Sequence, residues 1–334
     1  MMQNTATGPL KVGIEKVSFP LKKPFTITGH TFTETDAVHV TLMSGGVSGR
    51  GEGNGVYYLG DTVEGMMKQL EEVAPLVERG LSHESLLDIL PAGGARNALD
   101  CAYWDLTAKQ TGVRVWDRLN IPFKTRQTFF TIGIGSADEM AKNADAAGRY
   151  PNIKIKLDAD DPVGKLAAIR RARPDARLII DVNQGWSFDE LKEYAPACAH
   201  LGIAMIEQPL PRGGDEALEG YRSPVPLGAD ESCLDAGEYA TAAQRYDVIN
   251  IKLDKCGGLS AGLTLAGLAR RDGKQLMVGN MTGSSLSMAP SYVIAQFCDF
   301  VDIDGPLLLA ADVDAALAYG PDGTVEVPPA ALWG

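Results

Sequence analysis

Lys156, Asp181, Glu207, Asp230 and Lys252 each stand at the end of a short apolar run: NIKIKLD, RLIIDVN, IAMIEQP, PLGADES and VINIKLDK. From 156 through 181, 207 and 230 to 252 the steps are 25, 26, 23 and 22 residues, about one strand–helix unit each. A single acid at a strand end is ordinary, because Asp there commonly turns the chain or caps the next helix. Five charges in register, ordered plus, minus, minus, minus, plus, describe a cation site flanked by two amines. Three carboxylates without a His or Cys among them suit Mg²⁺, with Mn²⁺ as the alternative, and disfavour zinc. A dication holding a substrate carboxylate would stabilise the enediolate left when an α-proton departs. Lysine ordinarily keeps its proton, with a pKa of ~10.4. Burial, the Lys154 charge and the dication are each expected to lower Lys156, and Lys252 similarly, toward the range of a base. Bases on opposite faces of one carbon can take a proton from one side and return it from the other, which is racemisation or epimerisation.

The elements that must hold these residues follow from the pattern. Residues 9–56 read as β, with period-two alternation in Ala37-Val38-His39-Val40-Thr41-Leu42 and a turn at Ser44-Gly45-Gly46. Helical spacing takes over in 61–113. From about residue 126, eight apolar runs (128–133, 153–157, 177–181, 203–207, 226–230, 248–252, 276–280 and 300–304) alternate with amphipathic stretches. That rhythm predicts βαβ units and a parallel sheet. Eight such strands can close into a barrel with its active site at the C-terminal strand ends. An open doubly wound sheet is the alternative, but no Gly-rich phosphate loop follows any run.

Closure places strand two opposite strand six, so Lys154 and Lys156 confront Lys252 with the three acids in the arc between. Lys154 and Lys156 are two apart and share a face. Strand eight opposes strand four, and on it Asp302 and Asp304 share a face by the same rule. A substrate with its carboxylate on the cation would point its far end at these two acids. That end is expected to be cationic, such as an ammonium.

The rest of the chain narrows the classes. At 334 residues, 45% hydrophobic and 22% charged, it can bury a large core. A net charge of −12 argues against nucleic acid and anionic membranes as partners. The N-terminus shows no basic start followed by an apolar core, so no signal peptide is expected, and no apolar stretch is long enough to span a bilayer. Five scattered cysteines without C-x-x-C spacing read as reduced thiols of a cytoplasmic protein. Asp254 and Lys255 read as loop residues near the site. None of the four histidines (His30, His39, His83, His200) stands at a strand end, which argues against a His–Asp base. A homo-oligomer is left open.

These residues resemble the enolase superfamily, within it the muconate-lactonizing-enzyme subgroup, and within that the dipeptide epimerases. The likeness covers essentially the whole chain, including the segment Ala95–Asp105 that leads into the barrel. The subgroup's K-x-K motif matches Lys154-Ile155-Lys156, its metal ligands match Asp181, Glu207 and Asp230, and its opposing base matches Lys252. The D-x-D that binds a dipeptide's ammonium matches Asp302-Ile303-Asp304. The resemblance implies a modified (β/α)7β TIM-like barrel over 123–310, with an α+β capping domain from 1–122 and 311–334. It implies Mg²⁺ as cofactor and a small-molecule dipeptide as partner, with Lys154, Thr131, Asn280, His30 and Phe32 as further substrate-binding candidates. Two cap loops, Lys22–Glu34 and about Gly51–Gly60 with Tyr57 and Tyr58, would close the site. Members acting on L-Ala-D/L-Glu carry an arginine in the first loop, whereas the stretch Phe25–Phe32 has none. Phe32 there would favour an apolar or aromatic side chain. N-acyl amino acid racemisation, o-succinylbenzoate synthesis and muconate cycloisomerisation use the same lysines on substrates without the free ammonium. A non-catalytic binding barrel is the reading from a different class.

Overall fold

Val38, Val40 and Leu42 alternate along one strand and are all fully buried, so the period-two pattern lays one face of the strand on a core. This strand, His30–Ser44, pairs antiparallel with Lys11–Ile27 on one side and Val47–Asn54 on the other. The computed structural model describes residues 9–27 and 30–334, and His30 by its backbone alone. The first eight residues, on which the expectation about a signal peptide rests, lie outside the described residues, as do Thr28 and Gly29.

The third strand packs on the helix Gly94–Thr111 at a distance that excludes side chains. A Cβ on Gly49, Gly51 or Gly53 would lie 2.5 Å, 2.0 Å and 2.1 Å from the carbonyl oxygens of Ala102, Ala98 and Gly94. The alternating glycines are therefore what lets helix and sheet approach so closely. A second helix, Val63–Glu78, buries Met66, Leu70, Val73 and Val77 on the same core. Thr62 caps it by accepting from the Gly65 N–H at 3.1 Å.

The eight expected runs form eight strands in chain order: Phe130–Ile132, Asn152–Lys156, Arg177–Asp181, Ile203–Glu207, Leu227–Ala229, Val248–Ile251, Gln275–Val278 and Phe300–Val301. Neighbours pair in parallel throughout. Across the gap between first and last strand, the Phe129 N–H donates to Val301 O at 2.7 Å, and the sheet curls into the expected barrel. Six helices of seven or more residues lie between its strands; after the fourth, only the short turn Glu216–Leu218 does. Two of the helices open with full capping boxes, Ser136 with Glu139 and Ser187 with Glu190.

Inside the barrel, Phe129, Ile179, Met205, Val248, Met277 and Phe300 pack into one buried plug. Each contributes roughly 1.5–3 kcal/mol by burial. Two residues further along come Asp181, Glu207 and Asn250 on the same strands and Asp302 just past the eighth, so the apolar plug is the floor on which the charged layer rests.

The tail, grouped with the cap by resemblance, forms its strand beside the barrel. Thr324–Val325 pairs with Arg126–Gln127, just ahead of the barrel, and not with the N-terminal sheet. The contact with the cap comes later: the Trp333 indole N–H donates to Cys101 O at 3.0 Å, and Arg50 donates to Ala331 O and Leu332 O. Among the described residues no helix is long and apolar enough to cross a membrane.

Candidate active site

Lys156, Asp181 and Glu207 are level with one another, paired in register across the second, third and fourth barrel strands. Asp230 follows the fifth strand and Lys252 the sixth. All three acids are fully buried, and one carboxylate oxygen from each lies within 4.8 Å of the others. The Lys156 ammonium donates to Asp181 at 2.6 Å and to Asn183 Oδ1 at 3.0 Å. From the other flank the Lys252 ammonium donates to Asp230 at 2.6 Å. Lys154 stands within 3.1 Å of Asp181, 2.8 Å of Glu207 and 2.8 Å of Asp302. The two lysine positions thus approach one acid cluster from opposite sides.

The donor set fits a hard dication. It consists of carboxylate oxygens from three adjacent strands, and the fully buried Glu207 Oε2 has only the Lys154 ammonium, an ion pair at 2.8 Å, beside it. Burial and the Asp181 charge push the Glu207 carboxyl up to about 7. Burial would raise Asp181 as well, but Lys156 and Lys154 outweigh it and hold this carboxyl at about 2. Asp230 is held below the usual carboxylate range, burial being overcome by Lys252 and Lys255.

Lys252 departs from the expectation that it is lowered. Burial acts in that direction, but Asp230 outweighs it and raises the ammonium above its ordinary value. The protein groups alone supply more negative than positive influence at Lys252, so any lowering must come from a cation that takes up the carboxylate charge.

A cavity of about 220 Å³ opens above this layer. Lys154, Lys156, Lys252, Thr131, Asn280, Asp302 and Asp304 line its barrel side, and Phe32 its cap side. Strand eight ends at Val301, so Asp302 and Asp304 lie beyond it, and Asp304 opens the short helix Gly305–Leu308. Asp302 Oδ1 is buried without a hydrogen-bond partner. Asp304 accepts from the Thr131 N–H at 2.7 Å, and burial together with Asp302 pushes its carboxyl up to about 7. The Asn280 amide donates to Asp302 O at 2.9 Å. The His30 side chain lies outside the described residues.

Several neighbours went unmarked in the sequence. Asn250 donates to Glu207 Oε1 at 2.7 Å; period two from Lys252 put it on the inward face. A Cβ at Gly279 would lie 2.8 Å from Asn250 Oδ1 and 3.0 Å from Lys252 Cε, so this glycine keeps room for both. Glu231 lines the cavity, and burial with Asp230 and Asp181 pushes its carboxyl up to about 8. Lys255, expected as a loop residue, is instead fully buried in the turn Leu253–Cys256 and donates to Asp230 Oδ1 at 2.6 Å. Asp254 in the same turn is buried against the cap.

Comparison with known proteins agrees with this geometry. The model for the mandelate racemase / muconate lactonizing enzyme N-terminal domain matches residues 10–119, and that for the enolase C-terminal domain-like fold matches 136–330. The chain belongs to this family. Among family members it is 40% identical over 311 residues to the L-Ala-D/L-Glu epimerase of Escherichia coli strain K12, covering 92% of this chain and 97% of that one. An enolase family member from Agrobacterium tumefaciens with homology to dipeptide epimerases, solved with bound sodium and L-Ala-L-Glu, superposes with a TM-score of 0.95 at 41% identity. The match covers 98% of this chain and all of that one. The dipeptide epimerase of Enterococcus faecalis V583, complexed with Mg and L-Leu-L-Tyr, gives a TM-score of 0.89 at 26% identity, over 96% and 97% of the two chains.

Proposed function

We propose that this protein is a Mg²⁺-dependent dipeptide epimerase that inverts the α-carbon of the C-terminal residue. The observation that carries the reading is the placement of Lys156 and Lys252 on opposite flanks of one buried three-carboxylate cluster, both opening into one cavity. Asp181, Glu207 and Asp230 would hold the cation, which when bound supplies electrostatic stabilisation of charge developing on the substrate carboxylate. The Nζ of one lysine accepts the α-proton, and the ammonium of the other donates a proton to the opposite face. The reverse reaction exchanges these roles. Lys154, pulled down by burial but raised well above its ordinary value by Asp302, Glu207 and Asp181, stays charged and binds the substrate carboxylate.

Asp302 and Asp304 receive the dipeptide's ammonium, for which the unpartnered Asp302 Oδ1 is the acceptor at hand. Thr131 and Asn280 hold these two acids in place. Residues 123–310 are the catalytic unit, and 1–122 with 311–334 the cap. The cap side of the cavity, with His30 and Phe32 in its hairpin, selects the side chain: glutamate, as in the relatives named for L-Ala-D/L-Glu, or an apolar group. The five cysteines are free and buried, which fits the reducing cytoplasm.

The test is incubation with Mg²⁺ and mixed L,L-dipeptides in D₂O, followed by mass spectrometry. Deuterium at the α-carbon of the C-terminal residue is the expected result. Absence of uptake from every dipeptide, by folded and metal-loaded protein, rejects the dipeptide assignment. Lys252→Ala should abolish epimerisation yet leave α-proton exchange from one epimer.

A further inference from the structure

Lys252 is the first residue of a tight segment rather than the free end of a strand. The Lys255 N–H donates to Lys252 O at 3.0 Å and the Cys256 N–H at 3.1 Å, closing the single helical turn Leu253–Cys256 directly behind it. That turn is gripped from two sides. On the barrel side Lys255 ties it to Asp230. On the cap side one face of the helix Gly94–Thr111 holds it. Arg96 donates to Cys256 O at 2.6 Å and Gly257 O at 3.1 Å, and Asp100 accepts from the Ser260 N–H at 3.0 Å.

Between these grips sits Asp254, buried and outside the cavity lining. Its Oδ1 accepts from the Asn97 side-chain amide at 2.7 Å and from the Asn54 backbone N–H at 2.9 Å. Asn97 belongs to the cap helix and also donates to Glu52 O at 3.2 Å. Asn54 ends the third cap strand and lines the cavity, and the chain runs from it into Tyr57 and Tyr58 on the cavity wall. One oxygen therefore joins three things: the segment that begins with Lys252, the cap helix, and the cap strand that delivers the tyrosine wall.

We propose that Asp254 is a positioning residue for Lys252, fixing that lysine, and not Lys156, relative to the closed cap. This rests on the two-base epimerase reading above. The asymmetry is in the connectivity. Lys156 ends its own strand, in register with Asp181, and makes its hydrogen bonds to Asp181 and Asn183 within the barrel. Lys252 is two residues from a carboxylate anchored in the cap. Loss of that anchor loosens the 252–256 turn and displaces the Lys252 ammonium, and a misplacement of about 1 Å can cost ~10²-fold in rate.

The experiment measures α-proton exchange in D₂O separately from each epimer of an accepted dipeptide, with Lys252→Ala identifying the face that Lys252 serves. For Asp254→Ala, exchange at the Lys252 face should fall about tenfold or more, while exchange at the Lys156 face stays within about threefold. The loss should appear in kcat rather than KM. Asp254→Asn keeps an acceptor oxygen for both donors and should restore both faces. If Asp254→Ala does not fold, Asn97→Ala removes one donor only and should show the same one-sided loss at smaller size. Equal losses at the two faces, or none, overturn the positioning role and leave the epimerase reading standing. Absence of exchange in the wild-type protein overturns the epimerase reading itself.

Discussion

Lys255 and Asp230 form a fully buried pair at 2.6 Å, and the same ammonium also donates to Asp230 O, Cys233 O and Asn250 O. Asp230 is thus held by its side chain and its backbone at once, leaving Oδ2 to face Lys252. Lys255→Met keeps the length of the side chain but strips every one of these acceptors of a donor. Breaking a buried pair from one side costs about 3–5 kcal/mol. Urea unfolding should show a loss of that size. A loss under ~1 kcal/mol would mean that Asp230 finds another partner.

Cation binding should depend steeply on Glu207, a fully buried member of the three-carboxylate cluster whose Oε2 has only the Lys154 ammonium beside it. Glu207→Gln replaces one charged oxygen donor with a neutral one or an amide NH₂. Loss of an outer hydrogen-bonding partner alone weakens metal sites by ~10–100-fold, so loss of a ligand charge should cost at least about 100-fold in Mg²⁺ affinity. Titration calorimetry reads this without reference to turnover. In the wild-type protein, chelation should abolish α-proton exchange, and Mg²⁺ or Mn²⁺ should restore it while Zn²⁺ does not.

Which of these residues the sequence exposes depends on backbone geometry. While a strand lasts, side chains alternate, so Lys154 and Lys156 come together from spacing alone, and Asn250 was available by the same count from Lys252. Where the strand stops, alternation stops with it. The fifth strand ends at Ala229, and beyond it both Asp230 and Glu231 turn inward, which a period-two reading forbids. After Lys252 the chain folds into one helical turn, so Asp254 meets the cap while Lys255 meets Asp230. Four residues are too few for a helical pattern to register. The glycine spacing of Val47–Asn54 was visible, but its purpose required knowing which helix lies on it.

The cap side of the cavity makes a prediction about side-chain preference. Phe32 meets Tyr57 edge to face at 5.8 Å, and Tyr57 meets Tyr58 at 5.2 Å. Phe25 and Ile27 extend the same wall, and among the described residues no lysine or arginine of the cap lines the cavity. An acidic side chain placed there gives up water without gaining a cation. Phe32→Arg supplies one, and a charge-assisted hydrogen bond contributes ~1.5–3 kcal/mol. The ratio of kcat/KM for L-Ala-L-Glu over L-Ala-L-Leu should therefore rise about tenfold or more. An unchanged ratio would show that the C-terminal side chain does not face Phe32.

Asp254 also predicts how stability varies with pH. Burial, ahead of every other influence, pushes its carboxyl up to about 7, whereas an unfolded chain releases this proton near ~3.9. Between those values the folded protein keeps a proton that the unfolded chain has lost. The contribution of this group to stability is therefore whole below about pH 4 and is lost as pH rises through 7, with a slope of up to ~1.4 kcal/mol per pH unit. Asp254→Asn removes the titrating group and keeps the acceptor for Asn97 and Asn54. Urea unfolding from pH 5 to 7 should show the wild-type protein losing stability with rising pH more steeply than the variant, by about one proton's worth. Above pH 7.5 the two curves should run parallel. Equal slopes across the whole range would show that Asp254 ionises normally in the fold, because its two donors then stabilise the anion enough to cancel its burial.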